Sequence, residues 1–258
     1  MKQTLFYITL IILTISHASL VLAWRHVSPY AYCAGDPVNC VDPTGESTQA
    51  VLDSAGHYTI KGGDINDNDR NIYLMAYDQD GNLCNTGIII GRTPTITSFY
   101  NSDSDSWSGT IDCSDNSGIE FLTMIYDNTP SLLGYMWNAR NEHQYDFKAT
   151  NGTDDVLYNE GGYYRGMPLG VGKDGVSIYT SAREIGNMGA GIVARKSGLS
   201  WKVARFGFDL YQSRNTLRYH PVMNPYGAGG FLTLKWQPEG ISTQNAERFG
   251  YNHPIRVK

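Results

Sequence analysis

The chain has 258 residues, 41% of them apolar and 17% charged, with a net charge of -5. That leaves enough apolar material for a real core and excludes collagen-like and fully disordered classes; the length allows one large domain or two small ones. The net charge hides a polarity: from Tyr163 to Lys258 there are 13 Lys/Arg against 5 Asp/Glu, a surplus of +8, which leaves -13 for the residues before. Such asymmetry suits a nucleic-acid or phosphate partner for the basic part, and equally an acidic half docked on a basic one.

The first residues, MKQTLFYITLIILTISHASLVLAW, place Lys2 before an apolar run from Leu5 to Ile15, and Val21-Leu22-Ala23 suits signal-peptidase cleavage before Trp24. Residues 1–23 therefore read as an export signal, and the expected localisation is secreted. An uncleaved membrane anchor and a fortuitous start ahead of a truncated coding sequence are the alternatives. Residues 24–45 follow as a turn-dense stretch built on Asp36-Pro37, Asp42-Pro43 and Thr44-Gly45. The four cysteines, Cys33, Cys40, Cys84 and Cys113, contain no CxxC pair and match no zinc spacing, so free or structurally minor thiols are expected.

From residue 46 to 117, short apolar runs (HYTI, NIYLMAY, GIII, TITSFY, WSGTI) alternate with Asp/Asn/Gly/Ser clusters, the pattern of a β-rich region. Asp64, Asn66 and Asn68 in GDINDNDRN look like the opening of a calcium loop. The terminal glutamate position is Met75, however, so a solvated turn is the better reading.

After Gly118 the period lengthens. Thr129-Pro130 predicts an N-cap and first-turn proline for a helix through Leu132, Tyr135, Met136 and Ala139. QYDFK reads as a short strand or extended exit, and Asn151 to Gly175 as a glycine- and tyrosine-rich loop. Residues 181–197, SAREIGNMGAGIVARKS, form the central predicted helix, with Ile185, Met188, Ile192 and Val193 at helical spacing and Gly198 in the C-cap position. Gly186, Gly189 and Gly191 imply that another backbone or a ligand approaches closely. Ser200 caps a further helix through Val203, Phe206, Leu210 and Tyr211. A loop from Asn215 to Gly230, a strand within Phe231 to Trp236 and a short helix from Ser242 to Phe249 closed by Gly250 complete the reading. The fold class expected is α+β: an N-terminal β region of short strands, then a mainly helical C-terminal domain over residues 118–258.

Three segments carry candidate chemistry. In an extended Tyr145-Asp146-Phe147-Lys148, the acid and the cation fall on one side. Arg183, Glu184 and Asn187 offer a carboxylate beside a cation and an amide. Glu239, Gln244 and Arg248 offer another such group. His143 lies beside Asp146 and is the best-placed histidine for a general base. There is no HExxH, no GxSxG, no phosphate loop and no dinucleotide fingerprint, and a thiol nucleophile is excluded from the C-terminal half. No metal and no cofactor are expected.

Two resemblances rest on these residues. Tyr30, Tyr32, Asp36, Pro37, Val38, Asn39, Asp42, Pro43 and Gly45 resemble the closing motif of the Rhs/YD-repeat-associated core, which precedes a variable toxin domain. The repeats themselves are absent. From Tyr145 to Asn252, the residues Tyr145 to Lys148, Glu184, Gly186, Asn187, Gly191, Gln212, Glu239 and Gly250 resemble the bacterial polymorphic toxin type 44 domain. Glu184 departs from that pattern where some relatives carry aspartate, as does Gly189 where an aromatic often stands. Together these imply the effector module of an Rhs-type toxin for interbacterial competition, a monomer bound by a cognate immunity protein and acting on RNA as a metal-independent ribonuclease. Glu184, Asp146, His143 and Asn187 would be catalytic, and Lys148, Arg165, Arg183, Gln212, Glu239 and Arg248 would bind substrate. An effector acting on the envelope or peptidoglycan, and an inactive toxin remnant binding an immunity protein, are the competing expectations.

Overall fold

A computed structural model describes residues 48–140, 142–151, 160–224 and 227–252. The export signal and the closing motif lie outside the described residues.

Seven strands close a barrel: β1 (Thr48–Leu52), β2 (Tyr58–Gly62), β3 (Asn71–Tyr77), β4 (Leu83–Arg92), β7 (Thr110–Ile111), β8 (Gly166–Val171) and β9 (Ser177–Ser181), in the order β1-β2-β7-β8-β9-β4-β3. Most neighbours are antiparallel; β1 with β3, β7 with β8 and β4 with β9 are parallel. A short pair, β5 (Tyr100–Asn101) with β6 (Ser106–Trp107), stands beside it. Alternation along β1 buries Ala50, and Ile60, Ile72, Phe99, Ile111 and Tyr179 complete the barrel core. The GDINDNDRN segment is a run of side-chain turns: Asp64 accepts from the Asn66 N–H, Asp67 from Asp69 and Asp69 from Asn71. Cys84 is disulfide-bonded and only Cys113 is a free thiol among the described cysteines, which corrects the expectation of minor thiols throughout.

The helices are α1 (Ser117–Asp127), α2 (Leu132–Asn138), the one-turn α3 (Phe147–Thr150), α4 (Ala182–Lys196), α5 (Trp201–Ser213) and α6 (Ile241–Asn252). The central helix is where the periodicity puts it. Ile185, Met188, Ile192 and Val193 are fully buried against Phe121, Leu122 and Phe147. Its glycines mark a close crossing. A β-carbon on Gly191 would collide with the Glu247 carbonyl and come within 2.7 Å of the Tyr251 nitrogen, and one on Gly250 would strike the Met188 backbone. The two helices therefore touch through their main chains. Gly198 ends the local turn at φ +76, a left-handed conformation that suits glycine.

Several expectations need correction. The cap of α2 is Ser131, accepting from the Gly134 N–H at 3.1 Å, one residue beyond the Thr129-Pro130 pair. The YDFK segment is not extended; it enters α3. The stretches read as loops at 151–175 and 215–230 contain β8 and the hairpin of β10 (Arg218–Asn224) with β11 (Gly227–Thr233). The last helix runs through Gly250 instead of stopping there. Nor is the region after residue 118 mainly helical: it contributes β8 to β11, and β8 and β9 sit inside the barrel begun by the N-terminal strands. Glycine and proline in GMPLGV and RYHPVMN lower intrinsic strand propensity, and pairing overrides it.

Candidate functional site

Below the barrel, α2, the 143–148 segment, α4, the end of α5 and the start of α6 surround a cleft of about 780 Å³. On α4 the lining residues are Arg183, Gly186, Asn187 and Ala190, spaced i, i+3, i+4 and i+7, hence one helical face. His143, Asp146 and Lys148 line the cleft from the segment entering α3, Gln212 from α5, and Glu239 from the loop before α6. Seven of the ten residues expected at a site thus meet in one cavity.

Asp146 is buried, and its Oδ2 accepts the Glu142 N–H at 3.0 Å. Glu142 has φ +65, a strained conformation for a non-glycine residue, which aims that N–H at the carboxylate. Lys148 Nζ lies 3.6 Å from Asp146 Oδ1, so the acid and cation meet although the backbone between them is helical. His143 stands exposed at the rim. Behind it, Tyr145 stacks on Tyr135 with centroids 5.0 Å apart, and the Tyr135 hydroxyl donates to the Gly186 carbonyl at 2.7 Å. Burial, and then the nearby Glu247 charge, push the Tyr135 phenol well above its ordinary value, so it stays a donor.

Three expected residues are elsewhere. Glu184 is 3% exposed and turned toward the barrel, where it accepts hydroxyl bonds from Thr95, from Ser98 at 2.5 Å and from Thr180 at 2.9 Å. It follows Arg183 directly, and consecutive helical residues point about 100° apart, so the two cannot share the cleft. Burial pushes its carboxyl up, partly opposed by the three hydroxyls. Arg165 spends its guanidinium on the carbonyls of Phe147 (3.0 Å), Lys148 (3.0 Å) and Gly162 (2.7 Å) and on Asn151 Oδ1 (2.6 Å). It braces α3 from behind. Arg248 lies over the Trp201 ring, at 5.9 Å.

Sequence reasoning missed Arg140 and Arg214, two further cations of the lining, and Glu247, a buried carboxyl on the cleft wall. Glu247 belongs to a knot in which Arg205 reaches three carboxylates: Asp209, Glu239 at 3.0 Å and Glu247 at 2.5 Å. Burial, then the neighbouring Glu239, push the Glu247 carboxyl well above the usual range. Burial acts against Asp209 too, but the Arg205 bond and the Glu239 N–H at 3.0 Å outweigh it and hold that carboxyl low. The Arg205/Asp209 spacing of four was a readable ion pair; its convergence with α6 was not. Among the described residues, no three His, Cys, Asp or Glu side chains are grouped to hold a metal ion. Chemically the cleft offers cations for an anion, aromatic faces for a ring, and carboxyl groups in two different electrostatic settings.

In comparisons with known proteins, no family model, curated protein or solved structure matches this chain.

Proposed function

We propose that the chain is the effector end of an Rhs-type polymorphic toxin, and that its cleft cleaves RNA without a metal ion. One observation carries the reading. Tyr145 to Lys148, Gly186, Asn187, Gln212 and Glu239, which resemble the toxin type 44 pattern from four separate segments, line a single cleft with Arg140, Arg183 and Arg214. Cleavage of this kind needs a base for the 2′-hydroxyl, positive charge for the phosphoryl oxygens and a proton for the departing 5′-oxygen. Asp146 and His143 supply the base, and Lys148 and Arg183 the charge. The Asn187 amide donates to the phosphate or ribose. We assign the acid to Glu247, the cleft carboxyl that burial and Glu239 push upward. Tyr145 and Tyr211 offer faces on which bases stack.

The test uses the full chain with total RNA in the presence of a chelator. Asp146→Asn and Arg183→Gln should each lower cleavage by about 10²- to 10⁴-fold, the usual weight of a proton-transfer or charge-stabilising group. No cleavage by well-folded protein would end the proposal.

A second reading, an effector acting on the envelope, is favoured by the disulfide at Cys84, since such bonds persist in oxidising compartments. Toxicity confined to periplasmic expression would select it over the RNA reading.

A further inference from the structure

Helix α5 turns Phe208, Tyr211 and Gln212 to the cleft. Its opposite side, Val203, Phe206 and Leu210 at i, i+3 and i+7, is 45–59% exposed, the reverse of a helix that packs its apolar stripe inward. This stripe continues beyond the helix. Phe206 stacks on Trp236 with centroids 5.6 Å apart. The segment carrying Trp236 is tied to the end of α5 by Ser213 Oγ, which donates to the Gln237 carbonyl at 3.2 Å, and by Thr216 Oγ1, which donates to the Lys235 carbonyl at 2.6 Å. Leu217 and Leu234, both more than 40% exposed, extend the same face toward the β10–β11 hairpin. A run of large side chains of this extent marks an interaction surface.

Its charge says what kind. Between residues 197 and 252 the acidic residues are Asp209, Glu239 and Glu247, and all three are turned inward onto Arg205. The exposed ionic groups of this stretch are therefore cations, Lys202 and Lys235 among them. A second copy applied by the same face would set these cations against each other. Protein interfaces are moreover poor in lysine, whereas a bilayer surface takes aromatic and aliphatic side chains among the acyl chains and lets lysine stems reach up to anionic headgroups. No described helix is long and apolar enough to cross a bilayer.

We propose that the outer face of α5, together with Leu217, Leu234 and Trp236, seats the protein on an anionic lipid surface, with the cleft on the far side of α5. This rests on the exposed face alone and is independent of what the cleft cleaves. The test is cosedimentation of the full chain with vesicles of phosphatidylcholine, alone or mixed with phosphatidylglycerol. Binding should require phosphatidylglycerol, weaken with added salt, and fall about tenfold or more in a Phe206→Ser/Trp236→Ser variant. These side chains are half exposed, so folding should survive; Lys202→Glu/Lys235→Glu, which leaves the apolar groups in place, should lose the phosphatidylglycerol dependence. No binding to mixed vesicles overturns the proposal. Binding that both variants retain also overturns it, and points to another segment such as the apolar run at residues 5–15. Self-association that Phe206→Ser/Trp236→Ser abolishes, without vesicle binding, assigns the face to a second copy and overturns it equally.

Discussion

Replacing Glu184 by alanine should destabilise the protein without touching the cleft. The carboxylate gathers the hydroxyls of Thr95, Ser98 and Thr180, which join the barrel to the first turn of α4. Thr95 and Ser98 keep partners without it, since Thr95 also bonds Thr97 at 3.2 Å and Ser98 donates to the Thr95 carbonyl at 3.0 Å. Thr180, fully buried, loses the acceptor its hydroxyl uses. One stranded hydroxyl at about 1–3 kcal/mol, with a cavity the size of the lost side chain, gives about 3 kcal/mol. In a protein of this size that lowers Tm by about 6–12 °C. Glutamine keeps the volume and one acceptor, and should cost about 1 kcal/mol.

The pH dependence of this pair has a definite sign. A glutamate whose carboxyl is raised above the usual 4.5 binds its proton more tightly folded than unfolded. Its contribution is therefore fullest below pH 4.5 and declines as pH rises toward the folded value. Glutamine does not titrate, so the Glu184→Gln penalty should be larger at pH 4 than at pH 7. Urea unfolding at both pH values measures it, with RNA cleavage assayed on the folded variant. Unchanged stability combined with lost cleavage would refute the structural role and restore Glu184 to the reaction.

Further outcomes follow from the same packing. Gly191→Ala and Gly250→Ala should each cost at least about 1–3 kcal/mol by forcing α4 and α6 apart. The double variant should cost less than the sum because both widen one crossing; denaturant midpoints test this. Arg205→Met leaves Asp209, Glu239 and Glu247 without their shared cation, a loss of about 3–5 kcal/mol at neutral pH. Part of that loss should return as pH falls through the carboxylate range, because protonation removes the repulsion. A fragment of residues 118–258 should show no cooperative thermal transition by near-ultraviolet circular dichroism, since β8 and β9 lose β7 and β4, and Glu184 loses Thr95 and Ser98.

Local chemistry made much of this legible. Apolar spacing of 3 and 4 residues located α4, Ser200 marked the start of α5, and glycines at 189 and 191 announced that something came close. Short runs between Asp/Asn turns marked β2, β3 and β4, because turn residues act on their own neighbours, whereas β1 was not among those runs and TITSFY proved to be turn up to Tyr100. What is not local was decided by the tertiary structure. Strands β8 and β9 pair with each other, and single pairs, Ile111 with Gly166 and Arg92 with Ile178, set them in a barrel more than 50 residues away in sequence, while the glycines and proline of β8 hid it. Whether a carboxylate serves the cleft or the core depends on which side of α4 meets the barrel. That rotation sends Arg183 and Asn187 to the cavity and Glu184 to three hydroxyls, and it is set by burial of Ile185, Met188 and Ile192 on the remaining side. The sequence by itself determined which groups were available; the packing of α4 against the barrel and α6 determined which of them face one another, because the free energy of burying the apolar stripe far exceeds that of orienting any single polar side chain.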